Sequence, residues 1–223
     1  MIDEDQFYSK IYSEMQSRGL QGWYISKSHK KIEDQKYLSK QNIDLSILEV
    51  GGNVGEHIPY VKNNYKNYTL SDYRDTKFTS NDLNVHFVVC DVQKLPFKDN
   101  SYDRVISTCL LHHVLDPAKA LTEMIRVTKP LGTVSILIPC DPGGMYRFVK
   151  WIGTEKIWKQ KGIINPKFFH YSHHRNHFPG LQSTIEEIYK NFKMQWSYWP
   201  FKFRSWNVNL FAVVTIVKEK NDR

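Results

Sequence analysis

The chain has 223 residues, of which 41% are hydrophobic, and its formal net charge is +8. This length provides for one sizeable hydrophobic core, so we expect a single domain over residues 1–223. The sequence has no run of about 18 apolar residues that could span a membrane, and the acidic N-terminus has no signal-peptide core. We therefore expect a cytoplasmic protein. The positive charge is compatible with nucleic acid, an anionic membrane surface or a phosphorylated substrate, but charge alone does not choose between them.

The N-terminal residues 1–40 are polar, with apolar positions at helical spacing, which predicts a helical cap over the rest of the chain. Gly19 and Gly22 are predicted to interrupt this cap, so that a second helical piece begins near Trp23. Trp23 and Tyr24 leave two interpretations open. They could close a ligand pocket, with Tyr24 contacting the ligand, or they could dock the helices onto the core.

The stretch SILEVGGNVGEHI, residues 46–58, organises the sequence. An apolar run that carries one acidic residue breaks into a loop with three glycines, before a segment compatible with a helix. This is the outline of a strand, a tight turn and a helix N-terminus, where small residues let a ligand approach the backbone. Asp72 follows 17 residues after Gly55, at the end of the next apolar segment. A carboxylate at that position would hold a ribose diol.

From residue 46 onward, predicted strands alternate with helical patterns. The predicted strands are Ser46–Val50, Tyr68–Ser71, Val85–Cys90, Arg104–Thr108, Thr133–Pro139, Met194–Trp199 and Asn209–Val217. The helix predicted at Pro117–Lys129 has Asp116 as its cap and Pro130 as its stop. Another helix is predicted at Leu181–Phe192. Continuous apolar strands separated by helices indicate a parallel sheet that is covered on both faces.

Four motifs resemble, in their order and spacing, the S-adenosylmethionine-dependent methyltransferases of class I, the Rossmann-like class, and most closely their type 11 small-molecule branch. They are the glycine loop with its preceding acid, the second acid Asp72, the segment CDVQKLPFKDNSYD, and VISTCLLHHVLDP followed by IRVTKPLGTV. The resemblance covers residues 46–139. It implies an α/β fold with a seven-stranded, mostly parallel sheet flanked by helices, whose last two strands form an antiparallel edge hairpin.

That fold divides the chain into a cofactor-binding core at 41–140, a helical insertion on the substrate side after strand 5, at 141–180, and the last helix with the edge strands at 181–223. The cofactor implied is S-adenosyl-L-methionine, with S-adenosyl-L-homocysteine as its product. Asn53 departs from the family by replacing the middle glycine, but asparagine is the non-glycine residue that best tolerates a left-handed backbone.

The resemblance also implies roles for single residues. The loop glycines would let the backbone approach the amino acid part of the cofactor, and Glu49 would orient that loop. Asp72 would accept from both ribose hydroxyls, while Asp91 would accept from the adenine amino group beside the backbone of Val92. The full implied cofactor set is Glu49, Gly51, Gly52, Asn53, Gly55, Asp72, Tyr73, Asp91, Val92, Thr108 and Cys109.

Two histidines follow the fourth predicted strand, where a base would be well placed. Methyl transfer requires alignment, and removal of a proton if the acceptor is a hydroxyl or an ammonium group. His112 is the first candidate for that base, because histidine titrates near neutral pH; the alternative is that it only lines the pocket. His113 matches a position where the family often has a histidine with a structural or cofactor-side role.

The segment at residues 145–162 mixes aromatic and basic residues and predicts one basic amphipathic helix. It could form a lid over the acceptor, a dock for a phosphate-bearing substrate, or a membrane-surface contact through residues 145–161. It could also be a solvated face that packs on the core.

The next segment, FFHYSHHRNHF, is rich in histidine. No strong carboxylate pairing accompanies these histidines in the sequence, so we expect no metal site. We assign His173, His174 and Arg175, together with Tyr24, to the acceptor, with Arg175 available to a phosphate or carboxylate. Ordinary loop or core histidines are the alternative.

The predicted function is methyl transfer to a hydroxyl or amine of a small polar or phosphorylated acceptor. The tail of the sequence resembles type 11 methyltransferases encoded with bacterial surface-polysaccharide pathways, so a sugar or sugar nucleotide is the preferred acceptor. One alternative is RNA methylation, although no dedicated RNA-binding module is visible, which makes nucleic acid a less expected partner. The other alternative is a non-catalytic cofactor-binding subunit. The oligomeric state is not predicted.

Overall fold

A seven-stranded sheet organises the computed structural model, which describes residues 19–35, 44–152, 154–160, 162–163 and 165–220. The strands are β1 (Leu45–Val50), β2 (Tyr65–Asp72), β3 (Val85–Val89), β4 (Tyr102–Thr108), β5 (Thr128–Pro139), β6 (Lys193–Trp199) and β7 (Phe211–Val217). Their order across the sheet is β3-β2-β1-β4-β5-β7-β6. The first five strands pair in parallel, and β7 runs antiparallel to both β5 and β6. The predicted seven-stranded, mostly parallel sheet is therefore confirmed.

Helices cover both faces of this sheet. They are α1 (Gly19–Glu33), α2 (Pro117–Val127), α3 (Gly144–Ile152), α4 (Thr154–Gln160), α5 (Pro166–His173) and α6 (Phe178–Ile188). One apolar core lies between the sheet and the buried faces of α2 and α6, and a second core includes Ile32 of α1 and Met145 of α3 on the other face. Helix α2 begins as predicted, because the Asp116 side chain accepts a hydrogen bond from the Lys119 backbone N–H and Pro117 occupies the first turn.

Some predicted boundaries are wrong. The connection from β1 to β2 contains only a 3₁₀ turn at Ile58–Tyr60 and no α-helix in the described chain. Helix α2 ends two residues early, because Thr128 already pairs with Tyr102 as the start of β5. The single helix predicted at residues 145–162 is two helices, α3 and α4.

The predicted N-terminal cap is described only from residue 19 to 35, so residues 1–18 and 36–40 lie outside the described structure. The interruption predicted at Gly22 is wrong, because α1 runs through this residue from Gly19 to Glu33. Among the described helices, none has both the length and the apolar character that crossing a bilayer demands.

Candidate functional site

A cavity of about 830 Å³ opens at the carboxyl ends of the parallel strands. Strand β1 lies between β2 and β4, so the chain turns in opposite directions on its two sides. Open α/β sheets bind their ligands at such a switch point. The volume lies in the upper part of the roughly 300–1,000 Å³ range of ligand pockets. It therefore leaves room for two small molecules side by side.

The glycine loop after β1 forms the floor of this cavity. Its backbone is left-handed at Gly51 (φ +66°), Asn53 (φ +48°) and Gly55 (φ +79°). Asn53 thus adopts the backbone conformation that was expected of it. A Cβ at Gly51 would lie 2.6 Å from a methyl group of Leu110, so a side chain has no space there. Gly51 and Asn53 line the cavity, while Gly52 and Gly55 do not.

Asp72 ends β2 and faces the cavity, with 7% of its surface exposed. Its Oδ2 accepts the backbone N–H of Asn53 at 3.1 Å, and its Oδ1 accepts that of Arg74 at 3.0 Å. These two bonds fix the carboxylate and leave further lone pairs on both oxygens. The orientation suits a pair of hydroxyl donors, and the predicted ribose contact stays a prediction.

Two further acids lie near the loop. Asp91 lines the cavity beside Val92, and its Oδ1 accepts the Gln93 backbone N–H at 2.8 Å, which caps the 3₁₀ turn at Val92–Lys94. Glu56 also lines the cavity and accepts a hydrogen bond from Asn53 Nδ2 at 2.7 Å. Burial raises the pKa of Glu56. This acid was not among the predicted site residues.

Glu49 lies beneath the glycine loop and is not a lining residue of the cavity. It is fully buried, and the Tyr68 hydroxyl donates to its Oε2 at 2.6 Å. Burial raises the pKa of Glu49 to about 8, against the opposing effect of that hydrogen bond. Its contact in this structure supports the loop from below, and its role toward the cofactor stays a prediction.

The exit of β4 brings four predicted residues to the cavity wall: Thr108, Cys109, His112 and His113. Cys109 has a left-handed backbone (φ +52°), and burial raises the pKa of its thiol to about 12, so the thiol is uncharged. The turn that follows directs the two imidazoles toward the helices α3–α5 on the far side of the cavity.

Four histidines and one aspartate meet there, and we call them the cavity histidine cluster: His112, His113, His170, His174 and Asp141. The ring centroids of His112 lie 4.1 Å from His113 and 4.2 Å from His174. His113 and His174 are 5.0 Å apart, and His170 is 3.8 Å from His174. The Oδ2 atom of Asp141 accepts hydrogen bonds from His170 Nε2 at 2.8 Å and from His174 Nδ1 at 3.0 Å.

Burial keeps the rings of this cluster uncharged. It lowers the pKa of His113 to about 3 and that of His174 to about 4, and it holds the pKa of His112 well below its usual range. Burial alone would raise the pKa of Asp141, but the hydrogen bonds from His170 and His174 outweigh it and the pKa is lowered. At neutral pH one carboxylate therefore faces neutral imidazoles, whose lone pairs can accept a proton or bind a metal.

The remaining predicted site residues do not all line the cavity. Tyr24 and His173 line the cavity, and Tyr73 lies at its rim with 76% of its surface exposed. Tyr24 also packs edge-on against Phe211 of β7, 5.5 Å between centroids, so it docks α1 as well as lining the cavity. Arg175 lies in a separate small depression together with His113 and His173. The structure therefore does not bring all four predicted acceptor residues to one surface.

Several lining residues were not predicted, and the most important is His170, together with its buried partner Asp141 behind the cavity wall. His170 and His174 are four residues apart, a spacing that puts two side chains on one face of a helix. Asp141 follows β5 directly, at the sheet edge where ligands bind. Both signals are present in the sequence. Tyr146, Lys150 and Trp158, from α3 and α4, also line the cavity.

A second buried group of imidazoles and carboxylate lies under α1, and we call it the Arg104 cluster: His29, Glu33, His57 and Arg104. Arg104 donates to both oxygens of Glu33, at 2.7 and 3.0 Å. His57 Nε2 lies 2.9 Å from Glu33 Oε1, and its Nδ1 lies 2.8 Å from His29 Nδ1. Burial would raise the pKa of Glu33, but the hydrogen bonds from His57 and Arg104 lower it to about 2. This cluster ties α1 to β4.

Comparison with known proteins agrees with this fold. Residues 48–136 match the family model described as a methyltransferase domain. The chain is 34% identical over 106 residues to a ubiquinone/menaquinone biosynthesis C-methyltransferase of Vibrio cholerae, an alignment that covers 41% of this chain and 40% of that protein. The chain spans less than half the length of the curated relatives that it matches.

Solved structures resemble the whole described fold. A chain from the complex between the Haloferax volcanii Trm112 methyltransferase activator and a methyltransferase superposes with a TM-score of 0.65 at 14% identity, covering 98% of this chain and 99% of that one. The cyclase SpnF gives a TM-score of 0.62 at 13% identity, covering 92% and 84%. At such identities the likeness concerns the fold alone.

The fold and the match of residues 48–136 to a methyltransferase-domain model agree with the resemblance to the Rossmann-like S-adenosylmethionine-dependent methyltransferases that the sequence shows. The solved structures that share this fold include one described as an S-adenosylmethionine-dependent methyltransferase from Thermotoga maritima, with a TM-score of 0.56 at 17% identity, covering 96% of this chain and 99% of that one.

Proposed function

We propose that the chain transfers the methyl group of S-adenosylmethionine to a small acceptor that has a hydroxyl on a largely apolar, aromatic body. The observation that carries this proposal is the lining of the cavity. The lining residues fall into two groups, which we call the cofactor half and the acceptor half: the glycine loop with the fixed carboxylates that follow β2 and β3, and the aromatic and aliphatic side chains with the cavity histidine cluster.

Carboxylates at the strand ends form much of the cofactor half. Asp72 and Asp91 are each held by backbone N–H groups, at the ends of β2 and β3. Fixed carboxylates of this kind suit the hydroxyls and the amino group of an adenosine. Glu56, on the same side, offers a carboxylate to a cationic group of the cofactor.

Helices α3, α4 and α5 contribute side chains to the acceptor half. Its apolar lining residues are Leu137, Pro139, Val149, Ile157, Trp158, Phe169 and Leu210, with Tyr24 and Tyr146 beside them. Apolar walls with a few convergent polar groups are typical of sites for apolar ligands. A bare sugar would leave many of its hydroxyls without partners against such walls, which costs free energy.

The chemistry follows from the position of the cluster. The acceptor oxygen forms a bond to the methyl carbon as the carbon–sulfur bond breaks, and the electron pair of that bond stays on sulfur, which becomes a neutral thioether. The hydroxyl proton leaves toward the cavity histidine cluster, where neutral imidazoles can take it. His112 remains the predicted first candidate. Loss of a phenolic proton also activates the neighbouring ring carbons. After transfer to such a carbon, its hydrogen would leave as a proton to a base and the oxygen would regain a proton, so that the aromatic ring is restored.

The acceptor class is the finer part of the proposal. Quinone methyltransferases among the relatives act, by their names, on carbon, and an aromatic acceptor fits the lining described above. The sugar or sugar nucleotide predicted from the tail of the sequence has no support among these relatives. It stays a prediction, and its test is the same substrate panel.

The membrane contact predicted at residues 145–161 gains support from exposure. Phe148, Trp151 and Ile152 of α3 have 55%, 65% and 50% of their surfaces exposed, next to the basic residues Arg147 and Lys150. Lys150 also lines the cavity. Exposed aromatic and basic residues together suit an anionic lipid surface. An apolar acceptor could then reach the cavity from the membrane at this face.

The test has two stages. Calorimetric titration of the purified chain with S-adenosylmethionine measures cofactor binding. The Asp72→Ala variant should bind roughly 10- to 150-fold more weakly, which corresponds to about 1.5–3 kcal/mol for hydrogen bonds to a charged group. Asp75→Ala, two positions beyond the cavity-lining Tyr73, is the matched control and should bind normally. Unchanged affinity in Asp72→Ala would contradict the ribose assignment.

The second stage follows transfer of a labelled methyl group to hydroquinones, simple phenols, sugar nucleotides and RNA. Transfer to the aromatic acceptors alone supports the proposal, and transfer to sugar nucleotides or RNA would replace its acceptor class. Binding of the cofactor without transfer to any of them would favour the non-catalytic subunit.

A further inference from the structure

Three imidazoles of the cavity histidine cluster lie close enough together to share one metal ion. One nitrogen from each of His112, His113 and His174 lies within 4.8 Å of the other two. The three rings come from two different parts of the chain, the exit of β4 and the end of α5.

The outer nitrogen of two of these rings has a partner that fixes its orientation. His174 Nδ1 donates to the buried carboxylate of Asp141 at 3.0 Å, and His113 Nδ1 donates to the backbone carbonyl of His173 at 2.9 Å. In both rings Nε2 then carries the lone pair. A carboxylate or a backbone carbonyl behind the ring is the arrangement that histidine ligands of metal ions almost always show.

The third ring supplies an independent observation. Among the described residues, the Nδ1 atom of His112 is buried without a hydrogen-bond partner. A buried polar atom without a partner is unfavourable, and this one belongs to a ring that lines the cavity. A cation between the three rings would satisfy it.

We propose that His112, His113 and His174 bind one divalent transition-metal ion, with zinc as the best match, and that Asp141 and the His173 carbonyl orient two of the ligands from behind. Three histidines with a fourth position toward a cavity are the donor set of catalytic zinc sites. The second convergent trio, Asp141, His170 and His174, shares His174. We favour the three imidazoles because both rings facing Asp141 already donate to the same oxygen.

The role of the ion rests on the proposed function, although its binding does not. An ion in this position would take the acceptor oxygen as its fourth ligand and lower the pKa of the hydroxyl. The proton then leaves to solvent, the oxygen attacks the methyl carbon, and the electron pair of the broken carbon–sulfur bond stays on sulfur. No oxidant or reductant is needed.

The test measures metal binding without cofactor and without acceptor. The full chain, free of any affinity tag, is stripped with a chelator and titrated with Zn²⁺ and with Co²⁺. We expect one equivalent of each to bind, and we expect cobalt to give the intense visible bands of a tetrahedral site without a thiolate band. Absence of saturable binding, or an octahedral cobalt spectrum, would overturn the proposal and leave the cluster as a metal-free base.

Variants then assign the ligands. Asp141→Asn should weaken zinc binding about 10- to 100-fold, the usual effect of losing an outer partner, and His174→Ala should weaken it at least as much. The exposed His177 lies in the same segment but outside the cluster, so His177→Ala should bind normally. Equal affinity in all four proteins would overturn the assignment. If His174→Ala does not fold, His113→Gln and the wild-type cobalt spectrum carry the same test.

Discussion

The Arg104 cluster and the cavity histidine cluster each bury one carboxylate next to histidines. They differ in the groups that pair with that carboxylate and with the rings. In the Arg104 cluster the carboxylate is held by a guanidinium, and both nitrogens of His57 are engaged. In the cavity histidine cluster the carboxylate of Asp141 faces two imidazoles, and the Nδ1 atom of His112 has no partner among the described residues.

This difference separates a structural group from a functional one. In the Arg104 cluster a buried guanidinium balances the charge of the Glu33 carboxylate; its Nε atom has no hydrogen-bond partner among the described residues, but a guanidinium nitrogen is only a donor and offers no lone pair to a metal ion or a proton. In the cavity histidine cluster the unpartnered atom is an imidazole nitrogen at a cavity, which can offer a lone pair or a proton to a ligand. The kind of atom left without a partner, and its position at the cavity, therefore distinguish the two clusters.

The largest effect should come from breaking the Arg104 cluster. Arg104→Met leaves the buried Glu33 carboxylate without its guanidinium, and we expect the free energy of unfolding to fall by about 3–5 kcal/mol. Urea denaturation measures it. Lys129→Met is the control, because Lys129 and Asp103 form a partly exposed pair that is worth at most about 1 kcal/mol. Similar losses in the two variants would remove the contrast between a buried and an exposed pair.

The stability of the protein should depend on pH partly because of His29, a member of the Arg104 cluster. Burial, with the neighbouring His57, lowers the pKa of His29 to about 3, whereas the unfolded chain titrates near its usual value of about 6.5. Below that value the unfolded state takes up a proton that the folded state does not. Stability is therefore full above about pH 6.5 and falls as the pH drops toward 3, by up to about 1.4 kcal/mol per pH unit for this group.

Replacing the His29 ring tests whether this histidine contributes to the slope of stability against pH. His29→Gln should flatten the stability profile between about pH 5 and 6.5, a window in which Glu33, with its pKa of about 2, stays ionised when folded. Denaturation midpoints at several pH values give the slope. An unchanged slope in His29→Gln would mean that this histidine is protonated in the folded protein as well.

The smallest effect on stability should come from the cavity side. His112→Leu removes a buried ring with an unpartnered nitrogen, so we expect a change of less than about 1 kcal/mol, in either direction. Turnover should nevertheless fall, with cofactor affinity retained. A loss of several kcal/mol would mean that His112 is structural, and a loss of cofactor binding would move it to the cofactor side.

The cofactor half of the molecule could be predicted from the sequence because its signals are local. A strand, a glycine loop and an acid at the end of the next strand lie within 27 residues of each other, from Ser46 to Asp72. Their geometry depends on backbone conformation, which residue type restricts directly, as the left-handed Asn53 illustrates. The helix boundaries were less accurate, because strand pairing decided where α2 ends.

The acceptor half could not be predicted as well from the sequence, because its interacting residues are far apart in the chain. The histidine-rich segment appeared to lack a carboxylate, yet Asp141 lies 29 residues before His170 and within 2.8 Å of it. Arg175, adjacent to His174 in sequence, faces another depression. Sequence spacing gives neither the direction of a side chain outside regular structure nor the element that packs against it.

The sequence by itself therefore determined the class of fold, the succession of strands along the chain and the backbone of the cofactor loop, since hydrophobic periodicity and residue-specific dihedral limits act over short distances. Only the tertiary structure decided which buried histidines are paired and which are left with a lone pair at the cavity. Burial and pairing depend on which segments meet, and that is settled when the helices α1, α3, α4 and α5 pack around the sheet.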